Sequence, residues 1–344
     1  MMPPVETILQ DIKEHLPGSV FLHVQDEQPQ EPPFTAPPLT VLAPLEWIED
    51  FKQIHSCEGF GCQDQEDYAQ HFLDRISWAT EEQHIIEEQT RGQRKNKNWH
   101  SMRKGLLTAS NIWKIFRSTN QGKTAERLIE NYGSEKEDAR VPEAIKFGQD
   151  NEDRALTLFT RSHRYRHRQC SVRQPGLVVS TLEPYLAASP DAVVDCKHQN
   201  CGQFLAEVKC LYKHRNFHPK LAITERGFAE RGADGQLSVK QEHAYYYQMQ
   251  CQMAVTGIHK CHLCVFTKKG IESIEVPFDP IFWDNISKRL SLFWKTHVSK
   301  AFANCKQITL PAHFVHALHS IVHLLDPMQR FCRSNIPKHK SSYL

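Results

Sequence analysis

Residues 189–210, SPDAVVDCKHQNCGQFLAEVKC, hold the pattern that decides the fold. Two apolar runs, each bounded by Pro, Gly, Asp or Asn, predict two strands joined by a polar loop. Side chains alternate along a strand, so Glu207 and Lys209 would point to one face of the sheet. Because neighbouring strands lie side by side, Asp191 can come beside Glu207. The stretch therefore predicts two carboxylates and a lysine on one sheet surface.

This trio is suited to a metal-dependent hydrolase. Two carboxylates and a strand carbonyl make an oxygen-only site of the kind that Mg²⁺ or Mn²⁺ prefers. A bound metal polarises a phosphodiester and lowers the pKa of its water, while Lys209 positions that water or offsets developing charge. A surface turn followed by a strand ion pair would give the same three residues, so the rest of the chain has to support the site.

The elements around this stretch indicate the fold class. Their order is helix, three strands, helix and strand pair, which is typical of an α/β or α+β fold with a mixed sheet. A helix starting near Asn111 would come first, capped by the hydroxyls of Thr108 or Ser110. The other predicted helices are Pro142–His163, Gln241–Thr256 and Phe282–Phe302, and the predicted strands are Leu177–Ser180, Leu186–Asp195, Phe204–Cys210, Cys261–Thr267 and Ile271–Phe278.

Two helical side chains are candidates to complete the site. Glu152 lies one residue off the apolar stripe of its helix and can point at the carboxylate pair. Gln248 occupies a semi-buried face of the helix Gln241–Thr256. Gln250 is about 200° further round that helix, so both glutamines cannot face one site. We therefore select Gln248.

A basic, hydroxyl-containing segment precedes the strands. Arg103 and Ser110 lie around a helix start, where a guanidinium, a hydroxyl and free backbone N–H groups would form a phosphate pocket. Lys104 and Thr108 are the neighbouring base and hydroxyl. From Arg91 to Glu130 there are ten basic and two acidic residues, and we interpret this run as a nucleic-acid contact rather than a solvated face.

The charge distribution supports a nucleic-acid partner. Residues 1–90 hold 18 acidic and three basic residues, while the whole 344-residue chain has a net charge of +2. Residues 91–344 therefore carry +17. An acidic arm on a basic body is suited to a polyanion, which usually means nucleic acid.

The sequence also argues against membrane and exported classes. No apolar run approaches the roughly 18–20 residues that span a bilayer, and the acidic N-terminus lacks the basic segment of a secretory signal. The 11 cysteines do not form the dense framework of a secreted disulfide scaffold. We expect an intracellular protein with no membrane partner, and a basic cluster slightly favours the nucleus: Arg91, Arg94, Lys95 and Lys97.

Taken together, these residues resemble the YqaJ-type viral recombinase family, relatives of phage lambda exonuclease within the PD-(D/E)xK nuclease fold. The matches run in order from about Glu88 to Phe302: Trp99, Arg103, Thr108-Ala109-Ser110, Gly148, Glu152, Ala155, Ser189-Pro190-Asp191, Glu207-Val208-Lys209 and Tyr246-Tyr247-Gln248-Met249-Gln250. Ala192 and Leu211 depart from positions where the family often has Gly and Pro. The resemblance implies a restriction-endonuclease-like core, with a mixed central sheet flanked by helices.

The resemblance further implies a role for each site residue. The implied site has metal ligands, a catalytic lysine and two completing side chains: Asp191, Glu207 and the Val208 carbonyl for Mg²⁺ or Mn²⁺, Lys209 for catalysis, and Glu152 with Gln248. Arg103 and Ser110 would bind the phosphate of a DNA end. Members of the family digest one strand of duplex DNA from its end in recombination, and the phage enzyme is a trimer. We therefore expect an end-dependent deoxyribonuclease that binds duplex ends and forms a homo-oligomer.

These inferences divide the chain into three predicted segments. The first is an acidic, Pro-containing N-terminal arm over residues 1–80, partly helical or disordered. A nuclease domain covers residues 81–303, and a C-terminal helical tail covers residues 304–344. The main alternative function is a catalytically inert DNA-binding or scaffold protein that keeps the nuclease fold. The intact Asp191, Glu207 and Lys209 favour activity.

Cysteine and histidine sites are less favoured. A structural zinc site needs four converging ligands, yet Cys261 and Cys264 would lie on opposite faces of a strand, while Cys196, Cys201 and Cys210 are merely close in sequence. We interpret a histidine series as the polar side of an amphipathic helix: His313, His316, His319 and His323. No Cys-centred motif identifies the nucleophile of a protease.

Overall fold

A five-stranded mixed sheet carries the core of the protein. The computed structural model describes residues 78–130, 141–199 and 201–304, together with Ala69 and Leu73. Its strands, in chain order, are β1 Leu107–Thr108, β2 Cys170–Arg173, β3 Val178–Val179, β4 Leu186–Ala188, β5 Ala192–Cys196, β6 Gly202–Cys210, β7 Ala229–Arg231, β8 Leu237–Val239, β9 Lys260–Thr267 and β10 Gly270–Pro277.

Helices cover this sheet and extend beyond it. They are α1 Thr80–Gln89, α2 Lys97–Met102, α3 Ile112–Arg117, α4 Gln121–Glu130, α5 Glu143–Arg166, α6 Pro219–Arg226, α7 Ala244–Thr256, α8 Pro280–Phe293 and α9 Ser299–Asn304. The longest, α5, has an acidic residue in its first turn and three basic residues in its last, which complements the helix dipole. Gly257 ends α7 with a φ of 69°, in the left-handed region that glycine adopts without strain. None of the described helices is long and apolar enough to cross a membrane.

The strand order of the main sheet is β10-β9-β6-β5-β2. Strand β6 pairs in parallel with β9, and the other three pairs are antiparallel. A second sheet has the order β1-β4-β3, and β7 pairs with β8 as a hairpin. The predicted mixed sheet flanked by helices is confirmed.

Alternation along the central strands builds a core on each face of the main sheet. On one face, Phe159 of α5 packs with Phe204 and Val208 of β6. On the other face, residues of α6 and α7 pack with Leu205 of β6 and Val193 of β5. Each fully buried Leu or Phe side chain contributes roughly 1.5–3 kcal/mol of hydrophobic free energy. Cys261 and Cys264 belong to opposite faces, as predicted.

Helix α1 holds the segment that leads into the central strands. Glu87 Oε1 accepts a hydrogen bond from Gly176 N at 2.9 Å, and a Cβ atom on Gly176 would lie 2.0 Å from the Glu87 carbonyl oxygen. Only glycine therefore allows α1 to approach this closely. Just beyond α1, the amide of Gln93 donates to the carbonyl oxygens of Pro175 and Pro190, at 3.0 Å each. This bridge fixes the backbone next to Asp191.

Several predicted element bounds are wrong. The predicted strand Leu186–Asp195 is two strands in different sheets, because Pro190 has no N–H for a ladder and the chain turns there. The predicted helix Phe282–Phe302 is interrupted by a π-helical turn, Trp294–Val298. Strands β1, β2, β7 and β8 were not predicted. Strand β1 has only two residues, and the short runs of the other three are mostly half-buried or exposed.

The predicted caps of α3 are also wrong. Asn111 is the N-cap residue, and no side chain caps this helix. The hydroxyl of Thr108 accepts from the amide of Asn111 at 3.0 Å, and both predicted capping hydroxyls lie within reach of Arg103 instead. The N-terminal arm to residue 68, the tail from residue 305 and the histidine series from His313 to His323 lie outside the described residues. The three segment boundaries remain predictions.

Candidate active site

The side chains of Glu207 and Lys209 face α7, because β6 places every second residue on that side of the sheet. The ammonium group of Lys209 donates to Glu207 Oε1 and, at 3.2 Å, to Gln248 Oε1. The amide of Gln248 donates in turn to Glu207 Oε1 at 2.7 Å. Gln250 points elsewhere, with its amide bound to Pro277 O at 2.9 Å. The choice of Gln248 over Gln250 agrees with the geometry.

A further glutamine completes the surroundings of Glu207. Gln252 is fully buried, and its amide donates to Glu207 Oε2 at 2.7 Å. Glu207 itself is almost fully buried, with 3% of its side chain exposed, and both of its carboxylate oxygens accept hydrogen bonds. Gln252 was not among the predicted site residues. The spacing of four from Gln248 could have identified it, because residues i and i+4 share one face of a helix.

Asp191 immediately precedes β5 and lies next to the C-terminal part of β6. Its Oδ2 atom accepts a hydrogen bond from Val208 N at 2.6 Å. The same residue thus fixes Asp191 through its N–H and carries the carbonyl predicted as a metal ligand. This bond places Asp191 beside the residue that follows Glu207 on β6.

Glu152 approaches the site from α5. Burial and the negative charge of Glu207 raise the pKa of the Glu152 carboxyl, and the positive charge of Arg94 partly offsets them. Burial, Glu207 and Glu152 together raise the pKa of Asp191 well above its usual range, against the opposing charge of Lys209. Three carboxyl groups therefore influence one another, as expected where like charges share a partly buried site.

Lys209 is the cation of this group. Burial disfavours its charged form, but the carboxylates of Glu207 and Asp191 outweigh burial and raise its pKa. The ammonium group also lies 5.2 Å from the centre of the Tyr245 ring, within cation–π range. Lys209 is therefore protonated over the whole physiological pH range.

The donor set fits a hard divalent cation. Asp191, Glu207 and Glu152 offer carboxylate oxygens, and the Val208 carbonyl offers a neutral one. A divalent cation would also offset the burial and the mutual repulsion that together raise the pKa values of Asp191 and Glu152. Both oxygens of Glu207 are oriented by hydrogen bonds, from Lys209 and Gln248 to Oε1 and from Gln252 to Oε2.

The predicted phosphate-binding residues form a second group near the first. Arg103 Nη2 donates to Ser110 Oγ at 3.2 Å and to Thr108 Oγ1 at 3.4 Å. Its guanidinium lies 3.8 Å from the centre of the Trp99 ring. The indole N–H of Trp99 donates to Ser189 Oγ at 2.8 Å, which ties this group to the Ser-Pro-Asp turn.

Lys104 is the one predicted phosphate ligand whose side chain is not placed by a contact to this group. Its described hydrogen bond runs from its backbone N–H to Ser101 O, at 3.2 Å. Its role as a phosphate ligand remains a prediction.

The chain resembles known nucleases and recombinases. Residues 98–259 match the model of the YqaJ-like viral recombinase domain, which confirms the family resemblance over that stretch. Among curated proteins, no sequence matches this chain significantly.

Similar solved structures include three proteins described as exonucleases. An alkaline exonuclease from Laribacter hongkongensis is 18% identical, with a TM-score of 0.46, over 60% of this chain and 94% of that one. The shutoff and exonuclease protein of Kaposi's sarcoma-associated herpesvirus is 12% identical, with a TM-score of 0.44, over 77% and 92%. A phage-related exonuclease from Haemophilus somnus is 12% identical, with a TM-score of 0.37, over 57% and 94%.

Proposed function

We propose that this chain, whose residues 98–259 match the YqaJ-like viral recombinase domain, is a divalent-metal-dependent deoxyribonuclease. The proposed reaction is hydrolysis of phosphodiester bonds from an end of duplex DNA, in recombination or DNA processing. Mg²⁺ is the proposed metal, with Mn²⁺ as a substitute. The observation that carries the proposal is the convergence of Asp191, Glu207 and Lys209, beside Gln248, at neighbouring positions of β5, β6 and α7.

The proposed metal ligands are Asp191, Glu207 and the Val208 carbonyl, with Glu152 beside them. A metal held there would polarise the scissile phosphate and lower the pKa of a bound water. The protein's own contribution is positioning. Gln248 and Gln252 hold the two oxygens of Glu207, and the backbone N–H of Val208 holds Asp191, so the ligand atoms are oriented before the substrate arrives.

Lys209 would act as a cation and hydrogen-bond donor. Its pKa is raised by Glu207 and Asp191, which keeps the ammonium form and excludes it as a general base at neutral pH. The ammonium would hold the attacking water or offset charge on the phosphate. Gln248 would keep the lysine in position by accepting its hydrogen bond.

DNA-end recognition is proposed for Arg103, Thr108 and Ser110, whose side chains lie together. The guanidinium and the hydroxyls of Thr108 and Ser110 offer several donors within one short segment, a set suited to a terminal phosphate. The hydrogen bond from Trp99 to Ser189 keeps that segment at a fixed distance from Asp191. Binding to duplex DNA by the basic part of the chain should weaken steeply with salt. A homo-oligomer, by resemblance a trimer, remains a proposal.

The alternative function is a DNA-binding or scaffold protein without turnover. Lys209 and Glu207 form a closed ion pair in the structure, an arrangement that an inert fold would also tolerate. The presence of Asp191, Glu207 and Lys209 together favours the enzyme.

The test is digestion of an end-labelled linear duplex beside a closed circular one. Wild type, Lys209→Ala and a matched control, Lys288→Ala, are compared with Mg²⁺ and with EDTA. Lys288 is an exposed lysine on α8 that pairs with Asp284 at 2.6 Å, far along the chain from the site. We expect wild type and the control to shorten the linear DNA with Mg²⁺ but not with EDTA. We expect Lys209→Ala to bind the linear DNA without shortening it.

Other results would change the assignment. Cutting of the circular DNA would make the protein an endonuclease. Loss of DNA binding together with cleavage in Lys209→Ala would make Lys209 a structural residue. Binding of both DNAs by the wild type with no digestion in Mg²⁺ or Mn²⁺ would establish the inert alternative.

A further inference from the structure

A second group of potential metal ligands lies at the other end of strands β5 and β6. Within the described ranges, four side chains bring one ligand atom each to within 4.8 Å of all the others: His163, His167, Cys196 and Cys201. His163 lies in the last turn of α5 and His167 is the residue that caps it. Cys196 ends β5, and Cys201 immediately precedes β6.

The spacing along the chain matches that of structural zinc sites. The histidines have three residues between them and the cysteines four, and zinc ligands are typically paired as C-x2–4-C and H-x3–5-H. Both pairs are held by regular structure: the first by one turn of helix, the second by the connection between two paired strands. The bounds of α5, β5 and β6 therefore deliver all four ligands to one point.

The distances between ligand atoms agree with a tetrahedron. Cys196 Sγ lies 3.4 Å from His167 Nδ1, and Cys201 Sγ lies 3.8 Å from His163 Nε2. Zinc bonds of about 2.0–2.3 Å imply tetrahedron edges of roughly 3.3–3.8 Å. These two sulfur–nitrogen separations match tetrahedron edges, and the other pairs of ligand atoms lie within 4.8 Å of one another.

The surroundings support a closed structural site. Cys196 and His163 are buried, with 3% and 7% exposure, and the ring of His163 packs against Phe204 at 5.2 Å between centroids. The ammonium of Lys260 donates to the Cys201 carbonyl at 2.6 Å and fixes that residue. Four protein ligands leave no open position for a substrate, which is typical of structural rather than catalytic zinc.

We propose that His163, His167, Cys196 and Cys201 bind a structural Zn²⁺ ion. Two imidazole nitrogens and two thiolates in a tetrahedron are the donor set that zinc prefers over hard cations such as Mg²⁺. The ion joins the end of α5 to the β5–β6 connection. It would therefore lock the helix that carries Glu152 onto the two strands that carry Asp191 and Glu207. This site stands independently of the proposed nuclease activity.

The test measures zinc in the full-length protein, purified under reducing conditions so that no disulfide competes. Zinc per chain is determined for wild type, Cys196→Ser and His163→Gln. Two variants serve as matched controls: His198→Ala, an exposed histidine whose ring lies 4.3 Å from that of His167, and Cys210→Ser, at the far end of β6. Because other metal sites in the chain can also take up zinc, the measured quantity is the difference from wild type.

We expect Cys196→Ser and His163→Gln each to lose one zinc per chain and both controls to keep it. The apparent Tm of the two ligand variants should fall by about 5 °C or more, since the metal contributes to folding. If a ligand variant fails to fold, the site is tested in the wild type instead. Zinc-free wild type is titrated with Co²⁺, which gives a thiolate-to-cobalt absorption band only when sulfur is bound.

The proposal is overturned if wild type contains no zinc and shows no thiolate band with Co²⁺. It is equally overturned if Cys196→Ser keeps the full zinc content. Loss of zinc in His198→Ala, with His163→Gln unaffected, would replace the proposed ligand set.

Discussion

The two ends of the β5–β6 pair carry contrasting chemistry on the same three elements. At one end are Asp191 and Glu207, with Glu152 on α5; at the other are two cysteines, with two histidines on α5. Along α5, Glu152 and His163 are 11 residues apart, which corresponds to roughly 16 Å of helix. The first end offers hard oxygen donors and the second offers sulfur and nitrogen. The difference in donor atoms would therefore direct a proposed catalytic metal to one end and a proposed structural zinc to the other.

The two ends also respond to pH in opposite directions. At the carboxylate end the pKa values of Asp191 and Glu152 are raised, so the metal-free folded protein binds protons there more tightly than the unfolded chain. At the histidine end the pKa values of His163 and His262 are lowered, so the folded protein resists protonation. Deprotonation costs stability at the first end, and protonation costs stability at the second.

The largest expected effect is a crossed one between the two ends. Lys209→Ala should reduce Mg²⁺-dependent cleavage by more than about 1,000-fold and leave the zinc content unchanged, because it removes the cation next to the reacting phosphate. Cys196→Ser should have the opposite pattern, losing one zinc ion per chain without the loss of cleavage. Cleavage rates and zinc content are measured on the same preparations. If Lys209→Ala also lost the zinc, the two ends would not be independent.

The next effect concerns acid stability at the histidine end. Burial, and then the positive charge of Lys260, lowers the pKa of His262 from 6.5 to about 4, and 18% of its side chain is exposed. Because the folded-state pKa is below the unfolded one, the stability from the neutral ring is present above pH 6.5 and is lost as the pH falls towards 4. That loss is at most about 3 kcal/mol.

His262→Gln removes this titration and keeps a polar side chain of similar length next to Glu275, whose Oε2 lies 3.4 Å from the ring. Denaturant unfolding of both proteins at pH 7, 6, 5 and 4 should show a flatter pH dependence for the variant. Parallel curves for the two proteins would contradict the assignment. Glu275→Gln is the control, since it alters the same contact but leaves the histidine in place.

A third effect compares two glutamines of α7. Gln252 and Gln250 are both fully buried, but only Gln252 touches Glu207, at 2.7 Å, whereas Gln250 joins Pro277 and Asp279. Gln252→Leu should raise the Mg²⁺ concentration for half-maximal cleavage by about 10–100-fold, because it removes the donor that orients a metal ligand. Gln250→Leu should lower the Tm without this change. Equal shifts in the Mg²⁺ requirement would make Gln252 a structural residue.

Much of the carboxylate end could be predicted from the sequence, because its chemistry is encoded over short distances. The alternation of Glu207 and Lys209 needs only strand geometry, and Gln248 follows from helical periodicity. Gln252 was missed because a buried glutamine on an apolar face has no charge to attract notice. The single strand predicted over Leu186–Asp195 failed at Pro190, where tertiary contacts rather than local propensity decide which sheet the chain joins.

The histidine and cysteine end was harder to predict, because its ligand pairs come from segments 29 residues or more apart. Within each segment the pattern was present: His163 with His167, and Cys196 with Cys201. Neither pair alone supplies the four ligands of a zinc site. Only the packing of α5 against β5 and β6 brings the two pairs together.

The smallest expected effect tests the carboxylate end without a metal. Asp191→Asn keeps an oxygen that can accept the Val208 N–H, but removes a buried charge that Glu207 and Glu152 also repel. In Mg²⁺-free buffer at pH 8 we expect a Tm about 2–4 °C above that of wild type, which corresponds to roughly 1 kcal/mol. The difference should vanish on acidification, since Asp191 is then protonated in the wild type.

Addition of Mg²⁺ should reverse the order, because the wild type gains stability from binding the ion and Asp191→Asn does not. Asp195→Asn is the matched control on the same strand. The Asp195 carboxylate is 42% exposed and pairs with Lys197 at the surface. The Tm of Asp195→Asn should therefore follow the wild-type pH dependence. An Asp191→Asn protein that is less stable than wild type at pH 8 would mean that the Asp191 carboxylate is held by favourable contacts and not by repulsion that a metal relieves. The proposed role of Asp191 as a metal ligand would then lose its electrostatic support, while the zinc site at the other end would be unaffected.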